Sequence, residues 1–273
     1  MPTGWRYYGV MAACLFAACH HPSPGPSHPA LPDSSEPTSA DRSPPDAQPV
    51  SVIDADKTQL LTVVTDEWDT FRAEIRRYAR NPGGPWMEVG RPIPAVVGRE
   101  GYGWGRGLHG SGRPPGHEGP SKREGDGRSP AGVFAIGEAY GYASAIEGLS
   151  LPYTTATSAL RCVDDPASKH YNRIVNEHEA HQDWKSAEHM RRKDDLYAIT
   201  IVVEHNTRQR EPGGGSCIFI HSWIDEDTGM SGCTAMAPSS LEAVATWLEP
   251  GAAVLVALPQ DEYHNLRTAW SLP

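Results

Sequence analysis

The sequence predicts a mainly β domain with a few helices, an α+β fold, over residues 51–273 of the 273-residue chain. Short β-branched and aromatic runs recur along this region, separated by segments rich in glycine and proline. A few stretches instead have the apolar spacing of a helix. Hydrophobic residues make up 38% of the chain, which is enough for one buried core in a domain of this size.

Residues 1–19 are predicted to be an export segment. Arg6 precedes an apolar run over 9–18, which is shorter than the ~20 residues that a membrane-spanning helix needs. The run ends in LFAAC at Cys19, which resembles the lipobox of bacterial lipoproteins. We therefore expect lipidation at Cys19 and export to the periplasmic face of the cell envelope, with the outer membrane favoured because His20 follows the cysteine. A plain secretory signal, or lipidation at Cys14, is the alternative.

Residues 20–50 are predicted to be a disordered tether. The segment is rich in proline, serine and acidic residues and has almost no apolar side chains. Such a composition cannot bury enough surface to offset the entropy lost on ordering. A tether of this kind would let an anchored domain reach a target away from the membrane.

The predicted elements of the folded region follow in order. Residues 59–65 (QLLTVVT) predict a strand. A helix over 67–80 follows, N-capped by Asp66, because its apolar residues recur at spacings of 3, 4 and 3. Ser239 and Glu242 have the spacing of a capping box and predict a short helix that ends at Pro250-Gly251. Further strands are predicted at 86–97, 196–204, 217–223 and 252–258. The glycine-rich segment 98–130 is predicted to be loop and substrate-facing surface.

Charge and hydropathy exclude several classes of function. The net charge is -10 and no cluster of lysine and arginine is backed by aromatic residues, which argues against nucleic acid and anionic lipid as partners. A mean hydropathy of -0.49 excludes an integral membrane protein. The membrane would be reached only through the N-terminal anchor. The four histidines between 170 and 189 do not have the spacing of a zinc site.

The cysteines outside the export segment point to one reactive thiol. Cys162, Cys217 and Cys233 are odd in number, so at least one is left unpaired in an exported protein. Cys233 lies in a turn of small residues, where a substrate can approach, and His221 ends a predicted strand 12 residues earlier. A thiol–imidazole pair would supply a nucleophile. An inert buried cysteine and a structural histidine remain the alternative. Papain-like enzymes are excluded because their cysteine precedes the histidine.

Several motifs in the same order resemble the catalytic domain of the L,D-transpeptidase (YkuD-type) family. The central ones are SCIFIH (216–221) and SGCTAM (231–236), which resemble the branch of the family with the pattern IFLH…GCVAL. The other matching segments are GWGRG (103–107), KREGDG (122–127), SPAG (129–132), VDDP (163–166) with Tyr171-Asn172, and Ser186, Glu188, Met190 and DLY (195–197). The resemblance covers about residues 59–259.

The resemblance implies a β-sandwich-like catalytic domain that acts on peptidoglycan stem peptides. Cys233 would be the nucleophile and His221 the general base and acid, and the turn at Ser231 and Gly232 would hold the oxyanion. Lys122 and Arg123 could bind stem carboxylates, with solvated loop charge as the alternative. No metal or organic cofactor is implied, and carbapenems should acylate Cys233.

Two departures from the family pattern bear on the site. Many members have a histidine before the Gly-Cys pair, where this chain has Ser231. Cys217 occupies a position where the family leads us to expect a small, unreactive residue, and a disulfide with Cys162 is one possible explanation. Alternative functions are an L,D-carboxypeptidase or amidase that uses the same thioester, and a non-catalytic peptidoglycan-binding lipoprotein.

Overall fold

The structure, a computed structural model, describes residues 51–273. The predicted signal segment with its lipidation site Cys19, and the predicted tether, lie outside the described residues. Within 51–273, no helix has both the length and the apolar character that crossing a membrane requires.

The described region is mainly β, as predicted, and carries two helices. The strands are β1 (Gln59–Thr65), β2 (Arg72–Ala79), β3 (Met87–Val96), β4 (Tyr102–Trp104), β5 (Arg106–Gly107), β6 (Gly110–Ser111), β7 (Ser129–Gly141), β8 (Tyr153–Thr155), β9 (Leu160–Val163), β10 (Ile174–Asn176), β11 (Ala187–His189), β12 (Ile199–Val203), β13 (Phe219–Ser222), β14 (Thr234–Met236) and β15 (Ala253–Pro259). The helices are α1 (Pro238–Trp247) and α2 (Gln260–Leu266).

The largest sheet closes on itself. Its strands run β12-β13-β14-β3-β2-β1-β15-β7, and β7 pairs with β12 as well as with β15. The result is a barrel-like sheet, which removes two free edges. The predicted mainly β class is therefore confirmed, while the sandwich arrangement stays a prediction.

The predicted strands correspond to β1, β3, β12, β13 and β15, with ends that differ by a few residues. The predicted helix over 67–80 is wrong, because residues 72–79 form strand β2. Ile75 of β2 pairs with Val63 of β1 on one side and with Ile93 of β3 on the other. Two partner strands outweigh a helical spacing, since strand formation depends mainly on tertiary context.

Helix α1 begins one residue before the predicted capping box. Pro238 occupies the first turn, where its missing N–H is not needed, and Ala237 is the N-cap without a side-chain hydrogen bond. The predicted cap by Ser239 is therefore wrong, and the helix ends at Trp247 rather than at Pro250-Gly251. Strand β7 and helix α2 were not predicted.

Two clusters of buried side chains lie in the domain. The larger one is built on the strands of the closed sheet and contains residues such as Leu60, Phe134 and Val256, and helix α1 adds Leu241 and Val244. The smaller cluster covers the outer side of β13 and β14, and it contains Phe219 and Cys233. The predicted nucleophile therefore belongs to the second core and not to an exposed loop.

A small three-stranded sheet, β10-β9-β11, covers this second core; we call it the cap sheet. Cys162 on its central strand forms a disulfide with Cys217, 55 residues away and just before β13. The bond therefore ties the cap sheet directly to the strand that carries His221. It also leaves Cys233 as the free cysteine of the described region.

Removing this disulfide should destabilise the domain. In a Cys233→Ala background, replacing Cys162 and Cys217 by alanine should lower the free energy of unfolding by about 4 kcal/mol, because the loop that the bond closes is long. The measurement is urea unfolding of the full chain, with the Cys233→Ala parent as control. Equal unfolding midpoints of the oxidised parent and the triple variant would contradict this prediction.

Candidate active site

The position of Cys233 follows from the parallel pairing of β14 with β13. Ile220 is aligned with Thr234, so Cys233 lies beside Phe219. His221 lies two residues farther along β13, on the same face as Phe219. The connection over 223–233 therefore folds back and places the cysteine on the same face of the sheet as the histidine.

The thiol of Cys233 is buried and contacts backbone groups of the neighbouring strand. Its Sγ lies 3.4 Å from the backbone N of Phe219, which donates to it, and 3.5 Å from the carbonyl O of Cys217, to which the thiol donates. Only 8% of the residue is exposed. Burial raises the pKa of the Cys233 thiol to about 12, with the charge of Glu188 adding to the effect. The resting cysteine is therefore a neutral thiol.

The imidazole of His221 is held in one tautomer. Its Nδ1 lies 2.7 Å from the carbonyl O of Ser222, and a carbonyl can only accept, so Nδ1 carries the proton. Nε2 then keeps its lone pair, which is the form that a general base needs. Burial lowers the pKa of His221 to about 4, so the ring is neutral near pH 7.

Cys233 and His221 line the same cavity, which has a volume of about 210 Å³. Its walls come from residues 188–197 and 221–233, and they include Glu188, Arg192 and Tyr197. The rings of Tyr197 and His221 are in contact, with centroids 4.9 Å apart. Among the hydrogen bonds of residues 51–273, none joins His221 to Cys233. The glycine-rich segment 98–130 contributes no residue to these walls.

Burial disfavours a thiolate–imidazolium pair, because it raises the pKa of the thiol and lowers that of the imidazole. Both shifts favour the neutral thiol and the neutral imidazole.

Ser129 at the start of β7 holds the turn before the nucleophile. Its Oγ lies 2.7 Å from the carbonyl O of Gly232 and 3.1 Å from that of Cys233, and it accepts the backbone N–H of Gly98 at 2.9 Å. Gly232 has little room for a side chain, since a Cβ would come within 3.2 Å of the carbonyl O of Arg128. The turn therefore depends on one buried hydroxyl and one glycine.

The carbonyl of Cys217 is positioned by an unusual backbone conformation. Cys217 has a φ of 55°, a region that non-glycine residues seldom adopt. Its backbone N donates to Oδ1 of Asn172 at 3.0 Å, and Nδ2 of Asn172 donates to the carbonyls of His205 and Asn206. Asn172 thus has a structural role, because it orders the loop that leads into β13.

The other residues singled out in the sequence have different surroundings. Ser231 is exposed and lines the cavity beside Gly232. Lys122 is buried, and its Nζ lies 2.6 Å from Oδ1 of Asp126 and also donates to the carbonyl of Arg123. Arg123 is exposed. Neither basic residue lines the cavity, so their role with stem carboxylates stays a prediction.

Three residues of the site were not identified by sequence reasoning. Glu188 and Tyr197 form part of the cavity wall, and Ser129 holds the turn. All three lie in segments that matched the family pattern. Their presence in those segments was the available signal, but nothing in the sequence placed them beside Cys233.

A thiol and a neutral imidazole with a free lone pair that line one cavity are the groups that enzymes with a cysteine nucleophile use. The model of the L,D-transpeptidase catalytic domain family matches residues 50–256. The chain belongs to this family, whose members are cysteine-dependent L,D-transpeptidases that act on peptidoglycan. The family suggested by the sequence motifs is therefore confirmed.

Individual relatives are distant. A comparison with curated proteins returned no match. Among solved structures, the chain is similar to that of Bd1075 from Bdellovibrio bacteriovorus, with a TM-score of 0.39 and 12% identity over 79% of this chain and 55% of that one. The chain thus spans about half the length of Bd1075, and nothing about function is taken from so low a similarity.

The neutral resting pair predicts how alkylation of Cys233 depends on pH. Because only the thiolate reacts and the thiol pKa lies near 12, the rate with iodoacetamide should rise about tenfold per pH unit from about pH 7 to 9. The rate is measured from the mass of the peptide that contains Cys233. A plateau through neutral pH would instead indicate a preformed ion pair.

Ser129→Ala should loosen the turn at the nucleophile. The change leaves two buried carbonyls and one N–H without their partner, and it should lower the free energy of unfolding by about 1–3 kcal/mol. Urea unfolding of the full chain measures this. Ser150→Ala, which removes an exposed hydrogen bond to Glu249, is the control and should change little. Equal effects of the two substitutions on the free energy of unfolding would contradict the role of Ser129 in holding the turn.

Proposed function

We propose that this protein is a peptidoglycan L,D-transpeptidase that forms a thioester between Cys233 and a stem peptide and transfers the acyl group to an amine. The observation that carries the proposal is the shared cavity of Cys233 and His221, with the free Nε2 of the imidazole available as a base. The product would be a cross-link or a remodelled stem in the cell wall.

The first half of the reaction forms the thioester. Nε2 of His221 takes the proton of the Cys233 thiol while Sγ attacks a carbonyl carbon of the donor stem peptide. A tetrahedral oxyanion results. The backbone N–H groups of Gly232 and Cys233 would stabilise this oxyanion. The C–N bond to the terminal residue then breaks, and the leaving amine receives the proton from the imidazolium.

The second half releases the acyl group. An acceptor amine attacks the thioester carbonyl and gives a proton to Nε2 of His221 as the new C–N bond forms. The C–S bond breaks, and the thiolate of Cys233 recovers the proton from the imidazolium. Every step uses groups of the chain and its two substrates, so the reaction needs no metal or organic cofactor.

The location that we propose suits this reaction. Lipidation at Cys19 would anchor the protein at the periplasmic face of the envelope, with the outer membrane favoured, and residues 20–50 would tether the catalytic domain. The domain could then reach peptidoglycan without contacting the membrane itself.

Acylation by a carbapenem tests the nucleophile and the base. The intact mass of the full chain should increase by one carbapenem, Cys233→Ala should abolish the adduct, and His221→Ala should slow its formation about 10²-fold or more. His264→Ala, which changes a histidine of helix α2, is the control and should react like the wild type. A folded wild-type chain whose Cys233 is a free thiol but which forms no adduct would favour a non-catalytic peptidoglycan-binding protein.

The products formed from a stem peptide identify the acceptor. Incubation with a tetrapeptide stem should give a cross-linked product when a second stem is present. If the chain instead releases only the shortened stem and the free terminal residue, it is an L,D-carboxypeptidase. Mass spectrometry of the products distinguishes the two.

A further inference from the structure

The cavity beside Cys233 contains a carboxylate that has no ion-pair partner among residues 51–273. Glu188 lies on β11 of the cap sheet and forms part of the cavity wall. Its Oε2 accepts a hydrogen bond from the hydroxyl of Tyr197 at 2.8 Å. Burial raises the pKa of this carboxyl and so disfavours its charged form.

The nearby cations have other partners. Nε of Arg192 lies 2.8 Å from Oδ1 of Asp194, and its second hydrogen bond to the same carboxylate is also 2.8 Å long. Nζ of Lys122 is bonded to Asp126. The charges of Asp164 and Glu124 raise the pKa of Glu188, whereas the charge of Arg192 lowers it. Arg192 lines the same cavity, but its ion pair is with Asp194, so no cation contacts the Glu188 carboxylate directly among residues 51–273.

Negative charge is unfavourable next to a cysteine that must ionise. The charge of Glu188 raises the pKa of Cys233, which works against the nucleophile. A cation bound at Glu188 would cancel this effect and would also stabilise the buried carboxylate. The position therefore benefits the reaction only when a positive group from outside occupies the cavity.

A substrate ammonium fits these requirements better than a metal ion. The described residues contain no group of three or more histidine, cysteine, aspartate or glutamate side chains arranged to hold a metal. A cavity of about 210 Å³ has room for the end of an aminoalkyl chain, given that one water occupies ~30 Å³ in the liquid. An ammonium also has donors for both a carboxylate and a hydroxyl oxygen.

We propose that Glu188, oriented by Tyr197, binds the primary ammonium of a peptide substrate next to Cys233 and so determines which amines enter the reaction. The inference rests on the proposed function, since it assigns a specificity-determining residue to the same site. The ammonium belongs either to the acyl donor, where it only binds, or to the acceptor. An acceptor ammonium must first give one proton to the Glu188 carboxylate, and the neutral amine then attacks the thioester and gives its next proton to His221. The two sources differ in the step that they affect.

The central experiment compares Glu188→Gln with the wild type in the full chain. Glutamine keeps the shape and an acceptor for Tyr197 but removes the charge. Glu226→Gln removes the same charge from an exposed position in the 223–233 connection and is the matched control. Each chain is tested with a lysine-containing peptide and with the same peptide acetylated on its side-chain amine.

Thioester formation and transfer are measured separately by intact mass and by product analysis. If the ammonium is the acceptor's, Glu188→Gln should lower the ratio of transfer to the lysine peptide over transfer to hydroxylamine, which is mostly neutral at neutral pH, at least tenfold. If it is the donor's, the variant should lower the ratio of thioester formation from the lysine-containing donor over that from its acetylated form at least tenfold. Glu226→Gln should match the wild type in both assays.

A binding measurement keeps the inference testable if no thioester forms. In a Cys233→Ala background, calorimetry should show that the lysine peptide binds at least tenfold more tightly than its acetylated form. Adding Glu188→Gln should remove this difference, whereas adding Glu226→Gln should preserve it. The inference is wrong if acetylation weakens binding by the same factor with and without the Glu188→Gln change.

The two proposals fail in different ways. Acylation of the wild-type chain, combined with amine selectivity that does not depend on the charge at Glu188, would overturn this inference alone. Absence of acylation in the folded wild-type chain with a free Cys233 thiol would overturn the proposed function.

Discussion

The candidate site depends on the parallel pairing of β14 with β13. This pairing places Cys233 beside Phe219 and sets the imidazole of His221 on the same face. A shift of the register by one residue would turn the cysteine to the other face of the sheet, because side chains alternate along a strand. Closure of the sheet through β7 and β12 fixes the register, since β13 lies between two strands that are themselves paired elsewhere. The nucleophile thus takes its position from the barrel as a whole.

The site is maintained in a neutral state by burial. The thiol and the imidazole are both withdrawn from water, and each has its pKa moved in the direction that favours its uncharged form. A neutral pair is stable in the second core, so the fold bears little electrostatic cost for these two residues. Glu188 is different, because its ionised form is opposed both by burial and by neighbouring acids. A protein keeps such a group at some expense in stability, which is common where binding or catalysis requires it.

The sequence was sufficient for the mainly β class of fold and for singling out Cys233 and His221, which the structure places in one cavity, and it was insufficient for the other residues of that cavity. Strands such as β1 and β15 are short apolar runs that local pattern identifies. Strand β2 could not be predicted, because its apolar spacing is helical and its state is decided by pairing with β1 and β3. The residues around Cys233 could not be predicted for a related reason, because their contacts are also long-range. Ser129 reaches Gly232 across a separation of 103 residues, and Glu188 reaches the cavity only through the cap sheet. Contacts over such distances follow from the topology and leave no periodic pattern in the sequence.

The closed sheet and the cap sheet contribute different groups to the site. The closed sheet carries Cys233 and His221, whereas the cap sheet carries Glu188, and the disulfide between Cys162 and Cys217 joins the two layers directly beside the nucleophile. The groups to which we assign the chemistry therefore lie on one layer, and the charge that we assign to amine recognition lies on the other. A change in the cap sheet could alter the accepted amine while the thiol and its base keep their geometry. This separation explains why the histidine and cysteine motifs identify the reaction class of the chain but leave its acceptor open.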